Sequence, residues 1–100
     1  MNGSKLAKLR REHATMRRSP QRARDLEGLA KRLGRKQVKR GKEPVWESEF
    51  FVELFPLSIP HHGGKDLKNP TKNQILDSLE DDLDAWDDWI RENDNGDEEN

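Results

Sequence analysis

One hundred residues without a cysteine allow one small domain and exclude both disulfide staples and thiolate metal sites. Apolar residues make up 30% of the chain and charged residues 39%, against about 45–50% and 25% in ordinary globular proteins, which excludes a large core. The net charge of −1 hides a strong polarity: residues 1–42 hold 15 Lys/Arg and 3 Asp/Glu, whereas residues 43–100 hold 4 and 17. A basic half is the electrostatic signature of a polyanion partner, because each neutralised phosphate releases counterions. No apolar run reaches the length of a signal core or a membrane span, which predicts a soluble, cytoplasmic protein.

In chain order, Lys5–Arg18 reads as a helix with Leu6, Leu9, His13 and Met16 on one face, poor in apolar groups and half ordered. Residues 1–18 are therefore read as a basic extension to a domain spanning 19–90. Ser19-Pro20 reads as a helix start, with serine as N-cap and proline at the first position. The helix then runs to Leu33 on a stripe of Ala23, Leu26, Leu29, Ala30 and Leu33, and Gly34 ends it. Arg35–Arg40 is a short strand with Val38 inward. Gly41–Pro44 turns the chain into a second strand, Val45–Phe50, with Trp46, Ser48 and Phe50 alternating against Val45, Glu47 and Glu49. Phe51, Val52, Leu54 and Phe55 are too apolar for a free loop, so that segment packs on the core or on a partner.

Leu57–Ile59 reads as a third strand, and Gly63-Gly64 as a bend. Thr71 and Gln74 form a capping box for a last helix with Ile75, Leu76, Leu79, Leu83, Trp86 and Ile90 on its inner side. Residues 91–100 read as a disordered acidic tail. The sum is an α+β domain, α-β-β-β-α, with a three-stranded antiparallel sheet and helices on one face.

The chemistry concentrates where the third strand meets Pro60-His61-His62-Gly63-Gly64-Lys65. Histidine is the side chain whose unperturbed pKa lets it give or take a proton near neutral pH. Set at a strand end among lysines, it suits metal-independent cleavage of RNA, which needs a base, an acid and cations on the phosphorane. Adjacent histidines seldom converge on one ion and no third ligand lies at a helical spacing, so neither a metal nor a cofactor is expected. Lys39, Arg40 and Lys42 flank the hairpin turn, Arg35 and Lys36 extend that patch, and Lys65 adds to it; all are candidates for holding phosphates. Trp46 is either a base-stacking platform or core. Trp86 reads as core, Trp89 as partly exposed. The acidic run from Glu80 to Asp88 is either a solvated face or a nucleic-acid mimic lying across the basic patch.

The order strand, Pro-x-His, Gly-Lys, Leu, then a threonine-opened helix with Ile75-Leu76 resembles the HicA family of mRNA-cleaving toxins from toxin–antitoxin systems. Upstream, Ser19-Pro20, Asp25-Leu26, the Leu-rich helix, Gly34 and the basic strand ending in Arg40-Gly41 agree with it, so the likeness spans roughly Arg17 to Asp84. It implies a fold like that of double-stranded-RNA-binding domains, an endoribonuclease acting on mRNA, and neutralisation by a HicB-type antitoxin. His62 matches the histidine of the family's Pro-x-His turn and is the first choice for an acid/base, with His61 second. Where the family carries its catalytic Gly-Ser-His this chain has Gly41-Lys42-Glu43, so Glu43 is a third catalytic candidate. The alternative is a non-catalytic RNA-binding or adaptor protein of the same fold. A homodimer stays open.

Overall fold

The computed structural model describes residues 1–41, 43–61 and 63–93, apart from the side chains of Arg40 and Glu43. The elements are α1 (Gly3–Arg17), α2 (Ala23–Arg32), β1 (Arg35–Arg40), β2 (Glu43–Ser48) and α3 (Asn69–Asn93). Among the described residues no helix is long and apolar enough to cross a membrane.

Helix α1 is part of the packed body, not an appendage. Asn2 caps it by accepting the Lys5 N–H at 2.8 Å. Its stripe of Leu6, Leu9, His13 and Met16 is buried, and the His13 Nε2–H donates to the Leu76 carbonyl at 2.8 Å. Arg10 pairs with Asp84 at 2.8 Å and Arg17 with Asp77 at 2.6 Å, so the acidic α3 meets the cations of α1. Neutralised in this way, a sparse apolar stripe suffices to seat the helix. At the far end the buried Lys72 ammonium donates to the carbonyls of Arg17 and Ser19 at 2.8 and 3.0 Å, capping the negative end of α1.

Helix α2 starts at Ala23, three residues later than Ser19-Pro20 suggests. The Ser19 hydroxyl donates back to Thr15 O at 3.2 Å, so it closes α1 instead of opening α2. Residues 21 and 22 stay extended because Leu67 N–H bonds Gln21 O at 2.8 Å and Arg22 bridges to Asp66. The Asp25 carboxylate then accepts the Arg22 N–H at 2.8 Å and opens the helix. Leu26, Leu29, Ala30 and Leu33 are fully buried as the stripe requires.

Gly34 ends the helix at φ +100°, and a Cβ there would meet only Trp86, at an ordinary 3.7 Å. Gly34→Ala therefore costs backbone strain without a clash, about 1–2 kcal/mol. The urea midpoint of that variant, with unchanged slope, measures it.

Strands β1 and β2 pair antiparallel with Arg40 opposite Glu43 and Arg35 opposite Ser48. Arg35, Trp46 and Ser48 are buried on the face towards the helices. Val38 lies opposite Val45 on the other face, half-buried, and not inward as its apolarity suggests. Strand β2 begins at Glu43 and ends at Ser48, two residues short of the expected Phe50.

The expected third strand is reduced to one bridge: among the described residues the sheet has two strands. Leu57 exchanges backbone bonds with Trp46 at 2.7 and 2.9 Å and goes no further. The next bonded pair along that edge would be Pro44 with Ile59. Pro44 has no N–H to give, and Pro56 and Pro60 bracket the segment. Helix α3 begins at Asn69, before the expected Thr71, with the Lys68 carbonyl accepting Lys72 N–H at 2.9 Å. It extends to Asn93, into the first residues of the expected tail. Leu76, Leu79, Leu83 and Trp86 share one buried core with the α2 leucines, and the Trp86 indole N–H donates to Leu33 O at 2.7 Å.

Candidate nucleic-acid interface

Past the Leu57 bridge, buried Ile59 anchors the chain and Pro60 turns it outward into His61. Gly63 and Gly64 adopt φ +58° and +83°, a reversal that L side chains resist. The chain then docks again, through buried Leu67 and the Arg22–Asp66 bridge. The turn is thus tied down on both sides and leans on the entrance of α2.

His61 is 62% exposed at its side chain, and its Nε2 lies 2.8 Å from Glu27 Oε2, a carboxylate only 15% exposed. A carboxylate can only accept, so Nε2 carries the proton, and Nδ1 of the neutral ring has no hydrogen-bond partner among the described residues. A half-buried carboxylate holding the tautomer of a solvent-facing imidazole is an arrangement that suits a general base. Two clefts meet at this ring. One is lined by Arg22, Ala23, Arg24, His61, Gly64 and Lys65, at the positive end of α2. The other is lined by Pro44, Ser58, Ile59, Pro60 and His61. Through Pro44, whose strand partner is the exposed Lys39, the His61 turn adjoins the cationic end of the hairpin.

The expected phosphate-binding patch therefore divides. Lys65 is exposed and shares the first cleft with His61, and Lys39 is exposed on the hairpin opposite Pro44. Lys36 is exposed on the other face of the hairpin and lies 3.7 Å from Glu49. Arg40 and Glu43 pair at the backbone, their side chains being outside the described residues, as are Lys42 and His62 entirely.

Burial corrects one expectation, for Arg35, and decides between the two readings of Trp46. Arg35 is no surface cation: its side chain is 1% exposed and grips Asp82, 0% exposed, through two bonds of 2.8 Å. Its Nη1 donates to the carbonyls of Trp46 and Phe55 at 2.8 and 3.0 Å. Burial pushes the Asp82 carboxyl up, and the Arg35 fork opposes that shift. Trp46 is 3% exposed, with the Lys31 ammonium 5.6 Å above its ring. It is core and offers no face to a base.

Sequence reasoning missed Arg22, Arg24 and Glu27. The two arginines were legible as an Arg-x-Arg pair at a helix entrance. Glu27 was not, because its pairing with His61 exists only once the turn closes on α2. Among the described residues no group of three His, Cys, Asp or Glu side chains could hold a metal ion. Comparison with protein-family models, with curated proteins and with solved structures yields no match.

Proposed function

We propose that this protein is a HicA-like toxin that captures single-stranded mRNA in the clefts around His61 and cleaves it without a metal. The observation that carries the reading is the His61–Glu27 pair at the junction of two clefts, bordered by Arg22, Arg24 and Lys65. In the proposed reaction His61 Nδ1 takes the proton from a ribose 2′-OH. The 2′ oxygen bonds to phosphorus as the bond to the 5′ oxygen breaks, leaving a 2′,3′-cyclic phosphate. A second group protonates the departing 5′ oxygen; His62, next in the chain, is the residue the sequence offers. Arg24 and Lys65 stabilise the charge on the phosphorane. A HicB-type antitoxin would silence the protein by covering these clefts.

A second reading has its own observation. Glu43 stands where the resembling family carries its catalytic histidine, which favours an RNA-binding protein that has lost the chemistry. Both readings require electrostatic capture. Arg24→Gln and Lys65→Gln are each expected to reduce the slope of log affinity against log salt by about 0.7 for a single strand. Titration of a labelled RNA at several salt concentrations measures it, and unchanged slopes would remove the cleft from the account. Growth arrest on expression without a partner separates the toxin from the binding protein.

A further inference from the structure

The segment between β2 and the Leu57 bridge turns three large apolar side chains to solvent. Phe50 is 52% exposed, Val52 87% and Phe55 88%, and among the described residues these are the large hydrophobics left exposed. The segment is held from behind. Phe51 is buried and its N–H donates to Ser48 Oγ at 3.0 Å. Leu54 N–H bonds Phe51 O at 3.1 Å, and the Phe55 carbonyl accepts from Arg35 at 3.0 Å. Phe50 lies 4.8 Å from the Trp86 ring and 5.4 Å from Trp89, so the apolar surface continues onto the last turns of α3. Three large exposed apolar side chains within six residues, with Phe50 running on to Trp86 and Trp89, are the kind of surface that marks an interaction site.

The rim states what chemistry covers the patch. Glu49 and Glu53 lie in the segment, and Asp87, Asp88 and Glu92 on the end of α3. Lys36 pairs with Glu49 and Arg91 with Asp87, so Glu53, Asp88 and Glu92 set the sign of the rim among the described residues. A second copy placed face to face would set these carboxylates against each other, and RNA or an anionic lipid surface would be repelled. We propose that the patch docks a basic amphipathic segment of another protein, its large apolar side chains on Phe50, Val52 and Phe55 and its lysines or arginines towards Glu53 and Asp88. The site is at the Ser48 end of β2, whereas Pro44 at the other end borders one of the His61 clefts, so filling one leaves the other open. The inference does not depend on RNA cleavage.

The test uses the full chain and a designed helical peptide of about four turns, leucine along one face and lysine along the other. Tryptophan fluorescence and calorimetry are expected to report saturable binding of one peptide per chain. The Val52→Ser/Phe55→Ser variant should weaken it at least about tenfold, with RNA affinity unchanged; both side chains are exposed, so the core is untouched. A matching leucine/glutamate peptide should not bind. Failure of the lysine peptide to bind, or equal binding to the double variant, would overturn the proposal. So would sedimentation showing a dimer that the double variant abolishes, which would assign the patch to a second copy.

Discussion

Asp82→Asn is expected to cost about 3–5 kcal/mol of folding free energy, because it leaves the Arg35 guanidinium buried with a neutral partner. That is a large fraction of the roughly 5–15 kcal/mol that holds a domain together. Urea denaturation measures it as a midpoint shift on the order of 1–5 M. The double replacement Arg35→Met/Asp82→Leu removes both charges together and should recover most of the loss, since desolvating an ion pair cancels much of its attraction. The comparison separates a pair that stabilises from a pair that merely must not be broken. A loss below about 1 kcal/mol in the single variant would mean that water reaches the Arg35 head group.

The second large effect concerns the imidazole. His61→Ala should slow RNA cleavage by about 10²–10⁴-fold while leaving RNA affinity within a small factor, because general-base catalysis acts on the chemical step. Glu27→Gln preserves shape and a hydrogen-bonding group but loses the charge that favours the proton on Nε2. It should slow cleavage while leaving RNA affinity in place, which separates loss of the oriented imidazole from loss of the cleft. Single-turnover cleavage of a short RNA across pH measures both variants. A His61→Ala protein cleaving at the parent rate would hand the chemistry to His62 or remove it from this turn.

Much of the fold was legible because its signals are local. The α2 stripe, the glycine after Leu33 and the α3 stripe each follow from spacing within one element. The third strand failed for a reason also present in the sequence: Pro44 withholds the donor that a second rung needs. The inward face of β1 was misread through Val38, since Arg40 opposite Glu43 puts Val38 opposite Val45, whereas Trp46 faces Gln37. Followed through, that register places Arg35 on the helix side. Asp82 carries the matching signal, three residues after Leu79 and four before Trp86, a carboxylate on an apolar stripe. Read together, the two announce a buried ion pair.

The site was legible in part. Pro60-His61 and the glycine bend mark the turn, and the lysines mark its charge. The partner of the imidazole was not, because Glu27 is 34 residues distant in the chain and meets His61 only across the closed turn. Helix α1 was undervalued for a related reason. Its few apolar residues look insufficient until the arginines at positions 10 and 17 find acids on α3.

The central claim is that an acid-oriented imidazole, exposed between two clefts of which one is cationic, moves a proton on captured RNA. Incubating the purified chain with single-stranded RNA in excess EDTA, and determining the chemistry of the new ends, tests it most directly. The account predicts fragments with 2′,3′-cyclic phosphate and 5′-hydroxyl ends, absent with His61→Ala. Intact RNA after incubation with the parent chain would contradict it, as would 5′-phosphate ends.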